Sequence, residues 1–266
     1  MLADMHMHTH FSTDSHADMN EMVEQSIRAG IPSICFTDHI DWEFPEEGVV
    51  FDFDIHEYEK AIQEARARYG KDIQIGMGVE LGMQPQLVCP YMKLLEEHPF
   101  DFVIGSMHLV NGRDPYYPEA FAGRSDREVY RDYLEGTLEN IKAFHGFDSL
   151  GHLDYVVRYG QHKAEEYSYE AFSDVIDEIL KQLVKDGKGL EINTAGLRKG
   201  LGFPNPHPQV MKRFRELGGE IVTVGSDSHK PYSIGYDFDK AKDILLECGF
   251  SYYTQFRERK PDFIKI

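Results

Sequence analysis

The sequence predicts one α/β domain whose parallel strands close into a barrel. Three observations carry this expectation. Seven short apolar runs alternate with amphipathic stretches, and no Pro/Ser-rich linker or shift in composition divides the chain. Repeated strand-then-helix units require parallel strands joined by right-handed crossovers. Every apolar run also ends in polar side chains able to bind a metal. In an open sheet only the strands at a switch point converge on one site, whereas in a barrel all strand ends face a common mouth, so the barrel of about seven strands is favoured.

The first run, Leu2 to His8, alternates so that His6 and His8 share a face, where imidazole nitrogens can grip one cation. Taken alone the pair reads equally well as histidines near a tag-like terminus. A helical pattern from Met19 to Ala29 follows, then the strand Ser33 to Asp38, ending in Asp38 and His39. A second helix spans Tyr58 to Tyr69, and the strand Ile73 to Glu80 places a carboxylate at its end. Pointing inward, a lone Glu80 would cost several kcal/mol unless a cation or hydrogen bonds compensated it. The helix Leu87 to Glu97 leads to the strand Phe102 to His108, and the helix Arg127 to Phe144 to the strand Ser149 to His152. The next helix shows a clear stripe, Tyr169, Phe172, Val175, Ile176, Ile179, Leu180, Leu183 and Val184, closed by Gly187. The strand Gly189 to Asn193 ends in Glu191 and Asn193, and the helix His207 to Leu217 precedes the strand Glu220 to Gly225. Asp227 and His229 then repeat the alternation of His6 and His8, and first and last strands adjoin in a closed barrel. A helix from Phe238 to Cys248 completes the pattern. The gaps Val110 to Asp126 and Val156 to Ser168 are expected as loops at the mouth, where specificity resides.

Composition narrows the function classes. A net charge of −18 repels polyphosphate backbones, so a general nucleic-acid binder is excluded. No apolar stretch is long enough to span a membrane, and the N-terminus reaches Asp4, His6 and His8 without a signal pattern, which predicts a cytoplasmic protein. Cys35, Cys89 and Cys248 are too scattered for a disulfide framework or a thiolate cluster. Histidine, at 13 residues, is the unusual component, and six of them, His6, His8, His39, His108, His152 and His229, sit at strand ends.

Six blocks resemble the polymerase and histidinol phosphatase (PHP) superfamily of metal-dependent phosphoesterases. They are Asp4-Met5-His6-Met7-His8-Thr9 with Ser12, Phe36-Thr37-Asp38-His39, Gly78-Val79-Glu80, Gly105-Ser106-Met107-His108, Gly151-His152-Leu153-Asp154, and Gly225-Ser226-Asp227-Ser228-His229. They run in family order across nearly the whole chain. The length and the segments Val157 to Gly160 and Glu191 to Arg198 look most like the stand-alone histidinol-phosphate phosphatases. The resemblance implies a single domain over residues 1–266, a distorted seven-stranded (β/α)7 barrel, TIM-like, with three divalent metal ions. It implies that His6, His8, Glu80 and Asp227 hold the first ion, and that Glu80, His108 and His152 hold the second. The third would take His39, His229 and either Asp14 or His16, with Asp14 at the matching offset. Zinc, manganese and iron all remain open, although an Asp oxygen, harder than imidazole, favours manganese or iron. The implied activity is hydrolysis of L-histidinol phosphate in histidine biosynthesis, by in-line attack of a metal-bridging hydroxide. Glu80, Asp227, His229 and His39 would carry the catalysis. Arg158 and Arg198 have forked donors suited to the phosphate, while loop surface is the plain alternative for both. Asp41, Trp42, Glu43, Tyr116, Tyr117 and Glu119 are unranked candidates for the ammonium and imidazole of histidinol.

Rival readings are weaker. Val49 to Asp54 imitates the Asp-x-Asp nucleophile strand of haloacid-dehalogenase-like phosphatases, but His56 stands where a hydroxyl or valine is expected, which favours a lid or substrate loop. No Gly-x-Ser-x-Gly segment exists to support a serine hydrolase. A phosphoesterase for nucleotides or other small esters would share the metal site. A non-catalytic regulatory barrel would instead need coordinatively closed sites, and this ligand set leaves room for water.

Overall fold

The computed structural model describes residues 1–266. Its barrel strands are β1 (Asp4–Met7), β2 (Ser33–Phe36), β3 (His39–Ile40), β4 (Gln74–Gly82), β5 (Phe102–Ser106), β6 (Ser149–Leu150), β7 (Gly189–Asn193) and β8 (Val222–Gly225). All pair in parallel, in the order β1-β2-β4-β5-β6-β7-β8. β3 continues the track of β2 along β4 after a break at Thr37 and Asp38, since Ser33–Phe36 pairs with residues 74–77 and His39–Ile40 with Glu80 and Leu81. That makes seven strand positions, as the sequence predicts. Closure between β8 and β1 is loose: His8 N donates to Ser228 O at 2.8 Å and Asp227 N to His6 O at 2.9 Å.

Helices α1 (Met19–Arg28), α2 (Ile55–Tyr69), α3 (Val88–Glu97), α4 (Asp126–Ala143), α5 (Ser173–Asp186), α6 (Ala195–Arg198), α7 (Pro208–Glu216) and α8 (Phe238–Glu247) surround the barrel. Local sequence sets their ends. Asp18 and Asp54 cap the first free backbone N–H groups of α1 and α2. Ser125 and Glu128 form a capping box on α4, and Gly187 ends α5 in a left-handed conformation at φ 64°. The apolar stripes pack on the outward side chains of the strands, as in Ile176 and Leu180 of α5 or Leu190 and Ile192 of β7, all fully buried.

Inside the barrel a separate apolar plug of Met5, Cys35, Phe102, Ile104 and Phe256 fills the end away from the mouth. Phe256 comes from a C-terminal hairpin, β9 (Tyr252–Arg257) and β10 (Lys260–Lys265), which sequence periodicity did not predict. Its ring stacks on Phe102 at 5.1 Å, and Glu258 N donates to Asp101 Oδ1 at 3.0 Å. Each large side chain so buried contributes about 1.5–3 kcal/mol. Polar residues are thereby confined to the opposite end.

Candidate metal centre

Glu80 stands at the centre of that end and is wholly buried. Oε1 accepts from Ser106 Oγ at 2.6 Å and lies 2.9 Å from His152 Nε2 and 3.2 Å from His108 Nε2. Oε2 lies 2.9 Å from His6 Nε2, 3.1 Å from His39 Nδ1 and 3.4 Å from His8 Nε2. Five imidazoles from four strand positions thus converge on one carboxylate, His6 lying in β1 and His8 just past its end. A bulge in β1 between Asp4 and Met7 interrupts strict alternation, so that Met5 joins the plug while His6 still faces Glu80. Gly225 permits the closeness, because a Cβ there would fall against the Glu191 carboxylate and His6.

Asp227 occupies the left-handed region at φ 52°, which aspartate tolerates better than most residues. Asp227 Oδ1 lies 3.7 Å from His8 Nε2 and 3.6 Å from His229 Nδ1. His229 Nε2 lies 3.1 Å from Asp14 Oδ2, and His39 Nε2 lies 4.0 Å from the same oxygen. Nine predicted ligands, His6, His8, Asp14, His39, Glu80, His108, His152, Asp227 and His229, are therefore gathered at one mouth. His16 is exposed and makes no contact there, so the geometry favours Asp14 over it.

A second layer of carboxylates orients the imidazoles. Glu191 Oε1 lies 2.6 Å from His6 Nδ1, and Asp41 Oδ1 lies 2.6 Å from His108 Nδ1. This leaves Nε2 of each ring directed at Glu80, the arrangement that fixes the tautomer of a metal-binding histidine. Asp38, read as a strand-end ligand, does not reach the centre. It accepts from Thr9 N, Thr9 Oγ1, Ser12 N and Ser12 Oγ and clamps the loop after β1.

The electrostatics describe a site suited to cations. Burial pushes the Glu80 carboxyl up, but His6, His39 and His108 outweigh it and hold the group well below its ordinary pKa. Burial likewise opposes protonation of His39, yet Glu80 and Asp14 raise it to about 9. Asp14 falls to about 2 because His39 and His229 outweigh its burial. His8, by contrast, is driven well below the usual histidine value by burial and by His229 and His39. The carboxylates prefer ionisation among positive charge, and His8 prefers to be neutral. Buried His8 Nε2, His39 Nδ1 and His229 Nε2 have no hydrogen bond of their own. Ligand atoms of His6, His8 and Glu80, of Glu80, His108 and His152, and of His8, His39 and His229 lie within 4.8 Å of one another. These donors fit divalent ions.

Above the centre opens a cavity of about 620 Å³. Arg158, buried at its edge, donates to Asp227 Oδ2 at 3.0 Å, Asn193 Oδ1 at 3.1 Å and Asn205 Oδ1 at 2.8 Å, so it steadies Asp227 as well as facing the cavity. Arg198 donates to Asp227 O at 2.9 Å and lines the cavity with Lys199 and Lys230. Of the unranked loop residues, Tyr116, Tyr117 and Asp41 line it. Trp42 instead stacks on Tyr91, and Glu43 bonds Gln86. Glu119 is not among the lining residues, whereas Asp114, absent from the sequence reading, is. Phe44, Val49 and Phe51 line it too, while Asp54 is spent capping α2, as the loop reading of that decoy segment requires.

The sequence matches the PHP domain family over residues 4–195. It is 36% identical to a probable histidinol-phosphatase of Clostridium acetobutylicum over 94% of each chain. It is 32% identical to the histidinol-phosphatase of Lactococcus lactis subsp. lactis, covering 97% of this chain and 96% of that one. The crystal structure of the Lactococcus lactis histidinol phosphate phosphatase, complexed with zinc, L-histidinol and phosphate, superposes with a TM-score of 0.90 at 31% identity, over 98% of this chain and all of that one.

Proposed function

The chain belongs to the PHP domain family, and on that premise we propose that it hydrolyses L-histidinol phosphate to L-histidinol and phosphate. The observation that carries the substrate is the polarity of the mouth cavity. Loops after β7 and β8 supply Arg198, Lys199 and Lys230, whereas loops after β5 and β6 supply Asp114, Tyr116, Tyr155 and Tyr159, together with Arg158, whose charge is already matched by Asp227 Oδ2 at 3.0 Å. Asp114 Oδ1 accepts from Tyr116 N at 2.8 Å, and no lysine, arginine or histidine pairs with its carboxylate within 4.0 Å. A ligand with a phosphate at one end and an ammonium at the other matches that distribution, and an aromatic imidazole matches the tyrosines between.

His6, His8, Glu80 and Asp227 would hold one divalent ion, Glu80, His108 and His152 a second, and His39, His229 and Asp14 a third. Zinc is supported by the Lactococcus lactis complex and by the imidazole-rich donors, while Asp14 suits manganese or iron as well. Bound there, the ions would supply Lewis acidity and lower the pKa of water. The chain's own residues do the remainder. Arg198, Lys199 and Lys230 draw in and orient the phosphate, and Arg158 keeps Asp227 fixed while presenting its unused N–H groups to the cavity. Asp114 fixes the amine, and Glu191 and Asp41 hold His6 and His108 so that the centre needs little reorganisation.

Phosphate release from histidinol phosphate, an aryl phosphate and a mononucleotide, after chelation and after adding back zinc, manganese or iron, tests the reading. Metal-restored turnover should strongly favour histidinol phosphate. Equal turnover of all esters would retain the metal phosphoesterase and overturn the substrate.

A further inference from the structure

Outside the mouth, one other group of side chains has the composition of a metal site. His56 and Glu59 are three residues apart on one face of α2, and His98 follows the last turn of α3. Their ligand atoms lie within 4.8 Å of one another. Glu59 Oε1 lies 3.0 Å from His98 Nδ1, and Glu59 Oε2 lies 3.8 Å from His56 Nδ1. The imidazole rings of His56 and His98 meet edge to face at 5.5 Å. None of the three lines the mouth cavity.

We propose that His56, Glu59 and His98 form a second site for a borderline divalent cation of the zinc type, on the outer helical layer. Donors about 2.0–2.1 Å from a tetrahedral zinc ion are separated by roughly 3.3 Å. The two pairs, at 3.0 and 3.8 Å, bracket that spacing, so a small rotation of the exposed His56 completes the set. Two imidazoles and one carboxylate form the three-ligand arrangement that leaves a position open to water. Charge points the same way. No lysine or arginine approaches Glu59 within 4.0 Å, and its only close ionic partners are the two histidines. A cation between them would neutralise the carboxylate at a pH where both imidazoles are free to coordinate.

The positions are also firm. His98 and Glu59 are held, with side chains 13% and 22% exposed, whereas His56 is an open arm at 84%. His98 N donates to Leu94 O at 3.2 Å and His98 O accepts from Phe100 N at 3.0 Å, which fixes the turn presenting its ring. An ion would tie the start of α2 to the end of α3, two helices that otherwise reach this point from different strands.

The test is a zinc count on the whole chain equilibrated in graded zinc buffers, with turnover measured on the same samples. The wild-type chain should retain one equivalent more than His56→Ala and Glu59→Gln, and all three should turn over substrate equally. A higher melting temperature in zinc, lost in both variants, should accompany it. Equal zinc counts in wild type and variants would overturn the site. So would a lower turnover that tracks the lost equivalent, because the ion would then belong to the barrel mouth. His98→Asn, which removes the packed ring, should behave as the His56 and Glu59 variants do, and retention of the extra equivalent there would reduce the site to His56 and Glu59 alone and overturn it as drawn.

Discussion

Glu80 can be buried among imidazoles because His6, His8 and His108 are themselves held from behind, by Glu191, Ser12 and Asp41, and this makes the supporting carboxylates as testable as the ligands. Glu191 Oε1 is 2.6 Å from His6 Nδ1, and its Oε2 accepts from the backbone N–H of His152 at 2.9 Å, so one side chain steadies the His6 ring and the His152 main chain. Glu191→Gln should lower metal affinity or turnover about 10- to 100-fold, read by competition with a chelator, with the fold unchanged by circular dichroism. An unaltered affinity would show that the strand alone positions His6. Asp114 makes a different prediction, because burial holds its carboxyl above the usual value and no cation pairs with it. Asp114→Asn should cost about ten- to hundredfold in kcat/KM on histidinol phosphate, the size of a charge-assisted hydrogen bond, and nothing on the same ester lacking its amine. Equal losses on both esters would place Asp114 in the framework. Eight of the nine gathered ligands are legible because period-two alternation and strand ends mark them, as in His6 with His8 and Asp227 with His229, whereas Asp14 is reached only through the family resemblance. Asp38 misled for the same reason, since a strand-end carboxylate looks alike whether it turns to an ion or to the N–H groups of Thr9 and Ser12. Asp114 sits in a loop with no period and gave no signal.

Seven strand positions and the main helices follow from apolar runs, yet the irregularities that build the site do not. β2 and β3 are separated by Thr37 and Asp38, and that break turns His39 toward Glu80. The C-terminal hairpin was invisible for identifiable reasons. Most of β10 is exposed, so it carries no buried alternation. Its turn uses Glu258 and Arg259 at φ 49° and 61°, where the usual marker would be Asn-Gly. The hairpin nonetheless supplies Phe256 to the plug, next to Met5, Cys35, Phe102 and Ile104. Phe256→Ala should destabilise the domain by about 3–5 kcal/mol in denaturant titrations, the range for truncating a buried phenylalanine. Metal content and kcat should hold at temperatures where the variant stays folded, because the plug and the metal centre lie at opposite ends of the barrel. A selective loss of metal without a loss of stability would mean that the two ends are coupled.

At the scale of the molecule, a chain of net charge −18 concentrates six of its 13 imidazoles and four cationic side chains around one mouth. The balance of charge was readable from composition, whereas the division of the mouth into a cationic and a carboxylate-bearing side required the loops in place. Two different stabilisations follow, and they can be separated. Monovalent salt screens the self-repulsion of the acidic surface over roughly 10 Å at 0.1 M, so it should raise the melting temperature of any folded form of the chain. Divalent ions that bind the mouth stabilise by mass action, about 2.7 kcal/mol at a hundredfold excess over the dissociation constant. For a chain of this size that corresponds to roughly 5–10 °C. Chelation should therefore lower the melting temperature by that amount, and adding back zinc or manganese at constant ionic strength should restore it. Glu80→Gln separates the two effects, since it removes the buried carboxylate shared by five imidazoles while changing the net charge by a single unit and leaving the surface as it is. The variant should keep the response to salt and lose most of the response to divalent ions. If it keeps both, the ions act as general counterions to an acidic protein, and the convergence of histidines on Glu80 is not what binds them.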